Sequence, residues 1–203
     1  WDKAEEALET AIKNLGYPYR IDEGDGAFYG PKLDFLLTDV IGRDWQCGTF
    51  QLDFNLAERL DAQYVGEDGN KHHPVMIHRA ILGSFERFIG ILIENYAGKL
   101  PLWLAPIQIM IMTVTDSAIE YATDFQKKLK DNNIRAELDC RNEKIGYKIR
   151  EHSNSKIQFM AVIGKEEIKH KKISIRDLLT NETKEYSLEN SIDELKDLCS
   201  EPN

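Results

Sequence analysis

Pro74-Val-Met-Ile-His-Arg-Ala-Ile-Leu-Gly-Ser-Phe-Glu-Arg-Phe-Ile-Gly-Ile-Leu-Ile-Glu94 is the stretch that decides the fold. Val75 to Leu82 form a largely apolar run that stops at Gly83, and from Ser84 onward Phe85, Phe88, Ile89, Leu92 and Ile93 recur at helical spacings. A strand feeding a helix produces that change of period. Ser84 stands where an N-cap belongs and Glu86 brings a negative charge into the first turn, so the helix start is marked twice. Arg87 follows at the end where unpaired amides and the helix dipole attract anions, and a phosphate fits there.

Alternation puts Met76, His78, Ala80 and Leu82 on one face of the strand and Val75, Ile77, Arg79 and Ile81 on the other. If helices cover one face and the other floors a cleft, His78 lies in the same cleft as Arg87. From spacing alone a lone histidine among apolar residues reads first as a hydrogen-bonded core residue, while Arg87 fits a surface ion pair equally well. Position alone does not decide between them.

Working outward, the chain has 203 residues, enough for two modest domains, with the 42% hydrophobic and 30% charged content of an ordinary globular protein. No apolar run approaches membrane-spanning length and no export leader opens the chain, so no membrane partner is expected. A first residue of Trp1 rather than Met points to a processed chain or a piece of a longer one. Cys47, Cys140 and Cys199 are widely spaced and form no Cys-x-x-Cys pair, which suits a reducing cytoplasm. The net charge of −9 argues against indiscriminate nucleic-acid binding, yet Arg141 to Arg176 holds ten Lys and Arg against four Asp and Glu. Such a local basic patch serves a specific RNA contact, or is simply a solvated face.

Asp2 to Leu15 reads as an amphipathic helix stopped by Gly16. Lys32 to Val40 and Asp44 to Phe54 read as strands joined across Ile41-Gly-Arg43, and with Val75 to Leu82 they give at least three antiparallel strands. Lys32 and Asp34 share a face, as do Gln51 and Asp53. Gln46 and Gln51 fall on opposite faces of a regular strand and line one cleft only across a bulge, predicted at Gly48-Thr49.

The boundary is expected between about Gly98 and Pro106, dividing the chain into 1–102 and 103–203. Beyond it the order is strand (107–114), helix (to Asp131), strand (134–139), helix (144–153), strand (158–163), two further strands (172–178 and 182–187) and a last helix (188–198). That order predicts an α/β domain with a parallel core extended by a hairpin.

The Gly-Ser-Phe-Glu-Arg-Phe turn at Gly83 to Phe88 resembles the third signature motif of class II aminoacyl-tRNA synthetases, and Met76 to Ser84 is similar to the threonyl type. Phe28-Tyr-Gly-Pro-Lys-Leu-Asp34, Trp45-Gln-Cys-Gly-Thr-Phe-Gln-Leu-Asp-Phe54 and Arg141-Asn-Glu-Lys-Ile-Gly-Tyr-Lys-Ile-Arg-Glu-His152 agree with it, in order, across nearly the whole chain. The resemblance implies an α/β chain: part of the antiparallel-sheet catalytic core, then an anticodon-binding domain with a mixed sheet. The implied reaction joins threonine to the α-phosphate of ATP, with magnesium, and transfers it to threonine tRNA; the whole enzyme would be a cytoplasmic homodimer.

By the same resemblance His78 is one of three protein ligands to zinc. Tyr29, Gln51 and Ser84 bind substrate, with Lys32 close by. Gln46 lies near the adenylate ribose and the tRNA terminus, and Arg87 holds ATP phosphate and adenine. Arg87, Gln46 and Lys32 form the implied catalytic set. Asn142, Glu167 and Arg176 match base-contacting positions, with Lys144, Lys148 and Arg150 as phosphate partners. Motifs one and two, the other two zinc ligands and an editing region precede motif three in the family, so this stretch alone is expected to be inactive and to lack a closed zinc site. A non-catalytic tRNA-binding paralogue, and a class II enzyme for another amino acid, are the competing readings. His78 speaks against the latter.

Overall fold

Three strands, β1 (Lys32–Thr38), β2 (Asp44–Asp53) and β5 (Met76–Ala80), form an antiparallel sheet in the order β1-β2-β5. This computed structural model describes residues 1–188 and 190–201, and the chain forms two units, Trp1–Asn95 and Tyr96–Asn203.

In the first unit, α1 (Asp2–Leu15) buries Ala4, Leu8 and Ile12, a stripe at spacing four, and contacts β1 and β2. Gly16, with φ of 71°, ends it by returning its N–H to the Lys13 carbonyl. A short helix, α2 (Leu56–Arg59), and a small hairpin, β3 (Tyr64–Val65) with β4 (Lys71–His72), intervene before β5. The sequence reading included neither.

The register explains which side chains meet. Phe35 pairs with Gly48, but Leu36 pairs with Gln46, so Cys47 is the extra residue of a bulge in β2, next to the expected Gly48-Thr49. The bulge restores parity: Gln46, Thr49, Gln51 and Asp53 share one face with Lys32 and Asp34 of β1 and with Met76, His78 and Ala80 of β5. Trp45, Phe50, Ile77 and Arg79 occupy the other. At the end of β5 Gly83 turns the chain with φ of +72°. A Cβ there would lie 3.3 Å from the Cys47 carbonyl oxygen, so the corner fits close against the bulge. It leads into α3 (Phe85–Asn95), whose start is capped as expected: the Arg87 N–H donates to Ser84 Oγ at 3.2 Å.

The second unit is a five-stranded mixed sheet in the order β10-β9-β8-β6-β7. Here β6 (Ile109–Thr113) runs parallel to both β7 (Ala136–Asp139) and β8 (Phe159–Ile163), while β9 (Lys172–Asp177) and β10 (Thr183–Ser187) continue antiparallel. Ile109, Ile111, Ala161 and Ile163 pack with Ala122, Phe125 and Leu129 of α4 (Ile119–Asp131) and Leu195 of α7 (Ser191–Cys199). Met110, Met112 and Met160 pack on the other side with Ile145 and Ile149 of α5 (Ile145–Asn154). Strands buried on both faces read as continuous apolar runs, which is why β6 was plain in the sequence. A short helix after β8, α6 (Lys165–His170), was not expected. Glu189, part of the expected last helix, lies outside the described residues.

Candidate active site and nucleic-acid interface

Four expected residues meet on the polar face of the first sheet: Tyr29, Lys32, Gln51 and His78. The Tyr29 hydroxyl donates to Gln51 Oε1, and its ring centroid is 4.7 Å from that of His78. Gln51 stands directly opposite His78 on β5 and opposite Lys32 on β1. Gly30 makes the arrangement possible, because a Cβ there would fall 2.1 Å from the Leu52 carbonyl oxygen; only glycine lets the Tyr29 loop lie so close on β2.

Asp53 completes this face from beneath. It is fully buried, and its Oδ2 lies 2.8 Å from His78 Nε2. Its Oδ1 accepts the Asn55 and Leu56 N–H groups at 2.8 and 3.0 Å, while the Asn55 side-chain amide donates to the Tyr29 carbonyl at 2.9 Å. Burial raises the Asp53 pKa, but hydrogen bonds from His78, Leu56 and Asn55 outweigh it and leave it below the ordinary carboxylate value. The sequence placed Asp53 beside Gln51 without assigning it a partner.

Lys32 Nζ lies 2.9 Å from Asp34 Oδ2 and 3.0 Å from Asp25 Oδ2, and the Asp34 hydrogen bond raises its pKa. Among the described residues the buried Asp34 Oδ1 has no hydrogen-bond partner. Gln46 is exposed on the same face.

Arg87 departs from the expectation that it shares a hollow with His78. Its guanidinium carbon is 5.9 Å from the Trp45 ring centroid, in a hollow lined by Arg43, Trp45, Glu86, Gly90, Ile91 and Glu94. Trp45 belongs to the face opposite His78, because the Cys47 bulge puts Gln46, not Trp45, in phase with Gln51. The Gly83 turn thus leads α3 away from the His78 face, and the exposed Arg87 side chain follows it.

In the second unit the loops after β7 and β8 open at the carboxy-terminal edge of the parallel strands. Asn142 is exposed in the first, with Lys144 and Arg150 exposed nearby. Glu167, in α6, accepts the Gly164 N–H at 2.9 Å with one carboxylate oxygen and the Ser174 hydroxyl at 3.2 Å with the other. Arg176 is exposed on β9, two residues along from Ser174, and donates to Asn181 Oδ1 at 3.2 Å.

Lys148 is not a phosphate partner in this arrangement. It is 1% exposed, its ammonium donates to the Thr113 and Asp139 carbonyls at 3.0 and 3.2 Å, and it faces the Asp139 carboxylate at 3.8 Å. The spacing of Ile145, Lys148, Ile149 and His152 is that of one inward helix stripe, a signal that would have turned Lys148 to the interior.

Residues 2–96 match the tRNA synthetase class II core domain (G, H, P, S and T), and residues 108–198 match the anticodon binding domain. The threonine-tRNA ligase of Paracoccus denitrificans is 56% identical over 202 residues, covering 100% of this chain and 31% of the relative. The chain belongs to the threonyl-tRNA synthetase family.

It corresponds to the end of the synthetase catalytic core and the anticodon-binding domain, and it spans only about 31% of the Paracoccus protein and 30% of a Wolbachia pipientis threonine-tRNA ligase that is 57% identical over 94% of the chain. The structure of the RNA binding domain of threonyl-tRNA synthetase from Cryptosporidium parvum superposes with a TM-score of 0.90 at 37% identity, covering 98% of this chain and 50% of that one. Among the described residues no helix is long and apolar enough to cross a membrane.

Proposed function

We propose that this chain is the carboxy-terminal part of a threonine-tRNA ligase, working in the cytoplasm, in which residues 1–102 complete the pocket for threonine and ATP and residues 103–203 read the anticodon of threonine tRNA. The observation that carries the reading is the joined set Tyr29, Gln51, His78 and Asp53 on one sheet face, within a chain that aligns over its own whole length with part of a threonine-tRNA ligase.

His78 suits the role of a zinc ligand. Asp53 engages Nε2 and leaves Nδ1 for the metal, the usual pairing of a carboxylate with a metal-bound imidazole. Among the described residues no group of three or more His, Cys, Asp or Glu side chains is placed to hold a metal ion; in this reading the chain contributes one ligand and the rest of the enzyme supplies the others. Zinc in that pocket supplies a Lewis acid for the amino and hydroxyl groups of threonine, and a site that must engage a hydroxyl rejects valine far more strongly than shape alone. Tyr29 and Gln51 wall the pocket, with Ser84 at the neighbouring helix start.

Lys32 and Gln46 lie on the same face; Gln46 is assigned to the adenylate ribose and the tRNA terminus, and Lys32 to the catalytic set close to Tyr29 and Gln51. Arg87 is assigned to ATP phosphate after leaving Trp45; the contact of the Gly83 corner with the Gln46-Cys47 backbone keeps the start of α3 beside the Gln46 end of the face. The chain's contribution is positioning and electrostatics, not covalent catalysis. In the second unit Asn142, Glu167 and Arg176 read bases, while Lys144 and Arg150 hold phosphate.

The test is threonine-dependent ATP-pyrophosphate exchange by the full-length protein. Exchange with threonine and not valine is expected; no exchange with any amino acid would leave the non-catalytic tRNA-binding paralogue as the better reading.

A further inference from the structure

Arg141 is counted in the basic patch by its sequence position, but four of the five N–H groups of its half-exposed guanidinium donate to carboxylates of the protein. Nε and Nη2 donate to the two oxygens of Asp139 at 3.0 and 2.7 Å, while Nη1 and Nη2 donate to Glu151 at 3.2 and 3.1 Å. The Arg141 N–H also donates to Asp139 Oδ1, at 3.0 Å. Asp139, 6% exposed at the end of β7, takes a further bond from His152 Nε2 at 2.8 Å. Beneath it, Lys148 ties the ends of β6 and β7 together through the Thr113 and Asp139 carbonyls. One planar cation thus spans a strand end and helix α5, and the loop it closes, Cys140 to Lys144, carries Asn142.

We propose that the Asp139-Arg141-Glu151 clamp is a specificity-determining positioning device: it fixes the loop that presents Asn142, so that the side chain meets a base edge in one orientation. The inference rests on the anticodon reading of the second unit. Arg141 and Glu151 act through Asn142 and do not touch RNA. A hydrogen bond discriminates between bases only when its donor and acceptor are held in place beforehand, whereas phosphate attraction tolerates a mobile loop. Loosening the clamp therefore lowers selectivity without lowering overall affinity in proportion.

Two variants test this without touching the buried hub. Glu151→Gln removes one of the two acceptors in that arm of the clamp and also one negative charge near the basic face; Arg141→Lys keeps the positive charge but loses the fork. The probes are the anticodon stem-loop of threonine tRNA and the same stem-loop with a changed anticodon, bound to the 203-residue chain. Wild type is expected to prefer the first. In both variants the preference falls by about tenfold, the size of one lost base contact, while Glu151→Gln binds the changed stem-loop more tightly than wild type does.

Amide hydrogen exchange provides the readout that does not depend on RNA: Arg141 and Asn142 exchange faster in both variants, with α4 unchanged. A preserved preference in the variants, with wild type discriminating, overturns the proposal. Equal affinity of wild type for both stem-loops overturns the anticodon reading itself. Exchange then decides the clamp alone, and unchanged rates at Arg141 and Asn142 in Glu151→Gln overturn it.

Discussion

Asp53 Oδ2 lies 2.8 Å from His78 Nε2, and the same carboxylate, through Oδ1, holds the first amide of α2. A single buried acid therefore orients the imidazole and anchors the turn whose Asn55 fixes Tyr29. Asp53→Ala strands the imidazole and two amides, and about 2–3 kcal/mol of stability is expected to go with it. Urea unfolding followed by the fluorescence of Trp1 and Trp45 measures this; a loss below about 0.5 kcal/mol would show that the carboxylate is not the anchor.

Asp139 sets an acid limb in the second unit. Hydrogen bonds from Arg141 first, then from His152, hold its carboxyl well below the ordinary range despite burial. A carboxyl depressed in the folded state contributes stability that is fully present above its unfolded value of about 3.9 and is lost as pH falls below that. Stability of the second unit should decline below about pH 4, and Asp139→Asn should remove much of that slope while lowering stability at neutral pH. An identical acid limb in the variant would count against this assignment.

Lys148 and its neighbours on α5 should separate cleanly. Lys148→Met leaves the Thr113 and Asp139 carbonyls without their donor and removes a buried cation from beside Asp139. A loss of about 3–5 kcal/mol is expected. Lys144→Ala and Arg150→Ala, at exposed positions, should change stability little, weaken stem-loop RNA binding, and each reduce the salt slope by about 1. Thermal melts and a salt titration check both halves.

How far the sequence carried this picture is clearest in β2. Alternation alone required a bulge if Gln46 and Gln51 were to share a face, and the structure has one at Cys47, because a period of two allows no other way to bring residues five apart into phase. In the second unit β6 and β8 were legible because burial on both faces leaves almost only apolar residues. Side-chain partners were not. Asp53 meets His78 across two strands, a contact no local pattern encodes, and Arg87 follows a helix whose side of the sheet was set by the Gly83 turn and the bulge together. Lys148 carries a charge that suggests the surface, but its place on the helix stripe with Ile145, Ile149 and His152 turns it inward.

Gly30 should resist substitution. The Cβ of Gly30→Ala would overlap a backbone oxygen that cannot move without shifting β2, so about 1–3 kcal/mol is expected to be lost, with displacement of Tyr29. In the full-length protein the apparent threonine affinity should fall along with stability. A variant with wild-type threonine affinity would separate Tyr29 from the pocket.

Zinc content and threonine activation, measured together in the full-length protein carrying His78→Ala, test the assignment of the sheet face most directly. The expected result is that bound zinc and threonine-dependent pyrophosphate exchange fall together while the anticodon-binding unit still binds stem-loop RNA. Full zinc occupancy with undiminished exchange would contradict the account and make His78 a hydrogen-bonded partner of Asp53 and nothing more.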